Sequence, residues 1–460
     1  MPLDPSPVLD RLDAEEGAAL GRLFALLRVP SISTDPAYAP ACRQAAEWLA
    51  DDLAAMGFEA RAHETPGHPI VLAADHDSDG PHLLFYGHYD VQPVDPIELW
   101  EGDPFEPVLI GEGEERAIRA RGASDDKGQV MPFLEACRAW KAVHGRLPAK
   151  ITVLIEGEEE SGGESLPAFI EAHRDALSAD LALVCDTGMW DAATPAITTM
   201  LRGMVAEEVT VTGPSRDLHS GFYGGAAANP ATVLTRILGR LHDERGAVAV
   251  PGFYDGVDEL APGVAEQWAR LPFDAAAFLG EVGLSRPFGE AGRSALEHTW
   301  SRPTAEVNGI EGGYTGAGFK TVIASEARAK VSFRLVEGQE PDRIREGFRR
   351  FVKERLPDDC RARFAGHGGS PAIAMPVDAP AFETARQALT EEWGREAAFI
   401  GCGGSIPVVG LLKRSLGLDT VLVGFGLADD RIHSPNEKYA LKSFTKGARS
   451  WARILGALGH

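Results

Sequence analysis

The 460 residues read as an α/β protein of two domains, in which a smaller α+β module interrupts the larger, sheet-forming part. The length alone exceeds one ordinary domain. In the first 200 residues, short apolar runs bounded by turn residues or charge alternate with helical stretches, as buried strands joined by crossover helices do. Near residue 200 the pattern changes to half-exposed alternation, and the earlier pattern returns towards the C-terminus.

Taken in order, Leu12, Leu20, Leu23, Phe24 and Leu27 recur at helical spacing until Pro30 stops the run. A second helix is expected over 41–56, closed by Gly57. Strands are expected at 82–86, 151–155 and 181–184, with a helix at 166–173 between the last two. Residues 204–211 alternate like a half-exposed strand; the turn-rich GPSRDLHSGFYGG follows, then a helix from Pro230 to Leu241. Strands at 320–323 and 329–335 and a helix at 341–356 complete the inserted module. GHGGSPAIAMPVDAP reads as a linker back to a helix at 381–393 and a last buried strand at 421–425. The expected domains are 1–198 with 373–460, and 199–372.

Hydrophobic residues make up 44% of the chain and charged residues 25%, the balance of a globular protein with a sizeable core. A formal charge of −23 sets the average surface against nucleic acid and anionic membranes, so neither is expected as a partner. No window approaches the roughly 18 uncharged apolar residues of a membrane span. The opening MPLDPSPVLDRLDAEEG has no basic stretch followed by an apolar one, so no secretory signal is expected. Five scattered cysteines without a CxxC pair point to reduced thiols and a cytoplasmic location.

The chemistry-bearing residues fall just past the expected strand ends, where open sheets bind ligands. His88 and Asp90 follow the first strand, Glu156 to Glu160 the second, and Asp186 ends the third. Each has a plain structural reading alone: a surface turn, a capped helix start at Asp125-Asp126, a solvated acidic loop. Together, His88, Asp125, Glu160, Asp186 and His433 supply the terminal ligands and one bridge that two zinc-type ions need. Either Asp125 or Asp126 suits the bridge. Asp90, two residues past His88, suits the imidazole N–H as an acceptor, and Glu159 suits proton transfer beside the metals.

YGHYDVQP, RGASDDKG, EGEEESGG, CDTG, RDLHSGFYGG, GIEGGYTGAGFKT, FRLV, GGSIPV and HSPNEKY, in that order from residue 86 to 439, resemble the M20 metallopeptidase family. Within it they are most similar to the cytosolic nonspecific dipeptidase and carnosinase branch. The resemblance implies a two-domain fold: a zinc-peptidase-like α/β catalytic domain with an inserted α+β lid that mediates homodimerisation. It pairs His88 with Asp186 on one ion and Glu160 with His433 on the other, and makes Asp125 the bridge. Asp90 becomes the orienting acid and Glu159 the general base. His219 then serves the neighbouring subunit's active site as an oxyanion donor, with Thr321 a further substrate contact from the lid. Arg334, whose plain reading is an edge-strand residue facing water, becomes a clamp for the substrate's C-terminal carboxylate. Gly403, Gly404 and Ser405 complete that pocket. Cys402 and Asn308 stand where the dipeptidase pattern has Glu and often His, close to where substrate is read.

The reaction implied is hydrolysis of a dipeptide or short peptide by a metal-bridging hydroxide, with Zn²⁺ expected first and Mn²⁺ or Co²⁺ as substitutes. An N-acyl-amino-acid amidohydrolase uses the same metal site and is the enzymatic rival. A catalytically silent scaffold is the rival of another class.

Overall fold

The apolar runs His82–His88, Lys150–Glu156, Leu181–Val184 and Thr420–Leu422 form the parallel centre of one sheet. In the computed structural model, which describes residues 3–404 and 406–459, this sheet belongs to the first of two compact units. That unit comprises Met1–Thr199, Met375–Ile400 and Leu411–His460; the second comprises Met200–Ala374 and Gly401–Gly410.

The central strands are buried along almost their whole length, which is why they read as unbroken apolar runs rather than alternating ones. Ile70–Asp75 and then Glu59–His63 extend the sheet antiparallel on one side. Ala196–Leu201 meets Thr420–Leu422 antiparallel on the other. In the parallel register His88 stands opposite Glu156 and Tyr86 opposite Val184. The carboxyl ends of three strands are therefore level, and the loops leaving them open at one edge.

Helix Lys127–His144 packs on this sheet together with the C-terminal helix Leu441–Leu458. Phe85 of the central strand stacks on Phe133 with ring centroids 3.7 Å apart, and Trp451 meets both rings edge-on at 5.9 and 5.4 Å. Truncating such a buried aromatic costs about 3–5 kcal/mol. The same contact brings the start of the helix against the end of the strand. A β-carbon on Gly87 would lie 2.5 Å from Val130 and 2.9 Å from the Asp126 carboxylate, so only glycine permits the approach.

The expected N-terminal helix is two helices, Ser6–Ala14 and Glu16–Leu27, broken at Glu15, with the poor helix former Gly17 just beyond. The final strand ends at Leu422, although Val423 still donates to the Val184 carbonyl.

The second unit is a four-stranded antiparallel sheet in the order Thr304–Gly312, Glu326–Leu335, Gly203–Thr212, Arg361–Ser370. Gly203–Thr212 and Glu326–Leu335 alternate in burial, and helices Pro230–Leu238 and Pro341–Lys353 cover the buried face. Val205, Val209, Phe333, Leu234, Ile237, Phe348 and Phe351 make that core. Two expectations need correction here. The stretch read as a linker begins inside the strand Arg361–Ser370, because pairing with Gly203–Thr212 overrides the poor strand propensity of its glycines. The run at 320–323 contributes only Val322–Ile323, paired with Leu218–His219.

All five cysteines are free thiols. Among the described residues no helix is long and apolar enough to cross a membrane.

Candidate metal centre

Five side chains from five separate segments of the first unit meet at the level strand ends. His88 closes its strand, and Asp186 lies two residues past Leu181–Val184. Glu160 sits in the one-turn helix Glu159–Ser161, Asp125 precedes helix Lys127–His144, and His433 lies in the loop beyond Thr420–Leu422. His88, Asp125 and Asp186 form one group whose ligand atoms lie within 4.8 Å of one another, and Asp125, Glu160 and His433 form a second.

Asp125 belongs to both groups because its oxygens are divided between them. Oδ1 lies 3.1 Å from His88 Nε2, and Oδ2 lies 3.0 Å from His433 Nε2. His433 Nε2 is also 3.3 Å from Glu160, and His88 Nε2 is 3.9 Å from Asp186. Asp126 turns elsewhere: it accepts from the backbone N–H of His88 at 3.2 Å and the Cys185 thiol at 3.3 Å.

The electrostatics follow from crowding and burial. Burial would raise the Asp125 carboxyl, but its hydrogen bonds to His433 and His88 outweigh that and hold it well below the usual range. Its bonds to Asp125 and Glu160 push His433 up to about 10. Asp186, partly buried and facing the Asp125 charge, is pushed up to about 7. Burial likewise raises Glu159, with the Glu160 and Asp90 charges adding to it. Two imidazoles thus face several crowded carboxylates, and each side favours the charged form of the other. A donor set of two imidazoles and three carboxylates, one shared, fits two divalent ions of the zinc type.

Asp90 does more than the sequence suggested. Its backbone carbonyl is the nearer acceptor for His88 Nδ1, at 3.1 Å, with the carboxylate at 3.4 Å. The carboxylate also takes the backbone N–H groups of Glu159 and Glu160 at 3.3 and 3.0 Å. One buried acid therefore orients an imidazole and holds the turn carrying Glu159 and Glu160. Gln92, not singled out from the sequence, donates to Glu160 at 2.7 Å. Its place four residues past His88 in the same loop was the available signal.

Among the described residues, His433 is one of three non-glycine residues with a left-handed backbone, at φ 61°, alongside Arg431 and Asn436. Such a conformation costs of order 1–3 kcal/mol and persists only where the surroundings impose it. Here Asp430 ties the loop down, accepting from Ser124 Oγ and the Leu427 N–H, both at 2.8 Å.

The remaining candidates belong to the second unit. His219 is exposed and accepts from the Gly221 N–H at its Nδ1, 2.9 Å away, which leaves Nε2 as the protonated donor of the neutral ring. Thr321 accepts from the Ser220 N–H at 3.0 Å, tying the two segments together. Arg334 is half-buried on the strand face opposite the core, and its strand is interior rather than an edge, paired to Thr304 on one side and Met204 on the other. Asn308 is exposed at a bulge in Thr304–Gly312. The N–H of Gly404 points to Cys402 Sγ at 3.4 Å, and the Gly403 carbonyl accepts from Arg202 at 3.2 Å. Ser405 lies outside the described residues.

Known proteins resemble the chain over nearly its full length. It is 31% identical over 459 residues to the Cys-Gly metallodipeptidase dug1 of Schizosaccharomyces pombe, covering 95% of each chain. It is 29% identical to the human Beta-Ala-His dipeptidase, covering 84% of this chain and 76% of that one. Among solved structures, the M20 family metallo-carboxypeptidase Sso-CP2 from Sulfolobus solfataricus aligns with a TM-score of 0.81 at 30% identity, over 96% of this chain and 99% of that one. The family model for peptidase family M20/M25/M40 matches residues 84–457, and the chain therefore belongs to that family as a metallopeptidase.

Proposed function

We propose that the protein is a dipeptidase that hydrolyses dipeptides or short peptides bearing a free C-terminal carboxylate. The observation that carries this reading is the division of the Asp125 carboxylate between His88 and His433, which would let one acid serve two ions. His88 and Asp186 would hold one divalent ion and Glu160 and His433 the other, Zn²⁺ first among the candidates. Bound there, such ions acidify a water and polarise the scissile carbonyl.

The chain's own residues supply the rest. Glu159 lies beside Glu160 but in neither ligand group. With its carboxyl raised by burial, it suits taking a proton from the attacking water and returning it to the leaving amine. Asp90 keeps both Glu159 and His88 in place. His219, with Nε2 as donor, is the group proposed to meet the oxyanion, serving the neighbouring subunit of a homodimer formed through the second unit. Arg334 offers a planar bidentate fork to the substrate's carboxylate, with Thr321, Asn308, Gly404 and Ser405 as further contacts. The names of the relatives, two dipeptidases and a carboxypeptidase, support a substrate read from its carboxylate end. The five free thiols accord with the proposed cytoplasmic location.

Metal analysis followed by a panel of dipeptides, longer peptides and N-acylated amino acids tests the proposal. Two ions per chain and turnover of dipeptides are expected. Turnover of acylated amino acids alone would make the protein an amidohydrolase, and no turnover of any member would make it a scaffold.

A further inference from the structure

Two motif residues without an assigned role, Arg121 of RGASDDKG and Glu437 of HSPNEKY, are buried against each other at 1% and 0% exposure. Glu437 accepts four hydrogen bonds. Oε2 takes Arg121 Nη1 at 2.8 Å and the Gly122 N–H at 3.0 Å; Oε1 takes the N–H groups of Ser124 and Asp125 at 2.9 and 3.1 Å. Arg121 reaches on to the Pro93 carbonyl at 2.9 Å, and its guanidinium lies over the Trp100 ring, 5.3 Å from the centroid. The Ala120 N–H donates to the Glu437 carbonyl, and Ser124 Oγ to Asp430.

These contacts join three segments, each carrying a proposed ligand: the loop after His88, the turn ending in Asp125, and the loop of His433. A buried ion pair adds little net stability over a well-packed apolar pair. A carboxylate whose oxygens are both saturated by donors of one turn has a different use, because it sets the position of that turn's backbone. Asp125 is the side chain for which position matters most, since its oxygens are divided between two groups and a site of this kind tolerates only about 0.5 Å of misplacement.

We propose that Glu437, held by Arg121, is a positioning residue of the metal centre: its carboxylate clamps the Asp125 backbone to the loop that carries His433, so that one acid serves both ions. The inference rests on the metal-centre reading above and concerns how that centre is kept in register.

The full-length chain, stripped of metal, is titrated with Co²⁺ and followed by its visible absorption, and with Zn²⁺ against a chromophoric chelator. Glu437→Gln is expected to weaken both ions 10–100-fold and to alter the Co²⁺ spectrum, while Glu437→Asp, which keeps the charge, recovers part of the loss. The control is Glu392→Gln, which removes a buried carboxylate bonded to Arg449 and Arg453 at 2.8 and 2.9 Å but touches none of the ligand-bearing segments. It should lower the melting temperature and leave affinity and spectrum unchanged. If Glu437→Gln does not fold, Arg121→Lys is read in its place, because it keeps the charge and removes the fork. A folded variant with affinity within twofold of the parent and the parental spectrum overturns the inference, as does a control that shifts metal binding equally. A parent chain that takes up no Co²⁺ overturns the metal-centre reading itself, an outcome distinct from either.

Discussion

The two candidate ligand groups share Asp125 and differ in almost everything else. The His88 side chain has no exposure and Asp186 is 25% exposed; both leave the ends of central strands that are paired on each side. The His433 side chain is 54% exposed and hangs from a loop with a left-handed backbone at three residues. The sheet builds the first group. Fasteners build the second: Asp430 on the loop, Gln92 on Glu160, and Asp90 on the turn beneath. The proposed metal site would thus draw one half on rigid elements and the other on loops that are tied down.

Breaking the residue common to both halves should have the largest effect. Asp125→Ala is expected to empty both groups, and kcat/KM towards a dipeptide should fall at least ~10⁴-fold, on the order of 5.4 kcal/mol. Metal analysis showing two ions still bound would mean that the groups do not depend on one acid. Next in size is Glu159→Ala, expected to cut kcat about 10³-fold, within the 10²–10⁴ range of general acid–base catalysis, with both ions retained. Loss of an ion in that variant would move Glu159 into the second group and dissolve the distinction between ligand and base.

The same contrast separates what the sequence disclosed from what it concealed. His88 and Asp186 were legible because they end apolar runs, and a strand buried on both faces announces where it stops. The role of Glu437 was not legible: its donors lie more than 300 residues earlier, and no spacing rule links them. Thr304–Gly312 and Arg361–Ser370 were missed as strands because they flank their sheet and are largely exposed, leaving little alternation to read. The C-terminal helix Leu441–Leu458 carries Phe444, Ala448, Trp451 and Leu455 at helical spacing, yet Gly447 and Gly456 dilute its propensity. Both glycines are there for packing: a β-carbon on either would come 2.9 Å from a ring, Phe425 or Trp140.

Graded chelation should sharpen the contrast without any mutation. The group containing His433 is open to water and rests on a loop that must be ordered, so its ion should leave first. A separation of at least about tenfold in affinity, some 1.4 kcal/mol, is expected. A chelator series monitored by metal content would show a plateau at one ion per chain, whereas a single concerted step would mean that exposure does not distinguish the groups.

The smallest expected effect is the most selective. Gln92 donates to Glu160 and to none of the other proposed ligands, so Gln92→Ala removes one fastener from the loop-built group alone. Freed of that bond, Glu160 gains rotamer freedom that binding must remove, and the ion it shares with His433 should weaken about tenfold, the low end for such supporting contacts. The ion of His88 and Asp186 should keep its affinity, because their places are set by strand pairing that Gln92 does not touch. Isothermal titration of the variant would then show one weakened and one unchanged step. Equal weakening of both would mean that strain passes through Asp125 from one group to the other, and that the shared acid couples the halves more strongly than their different scaffolds keep them apart.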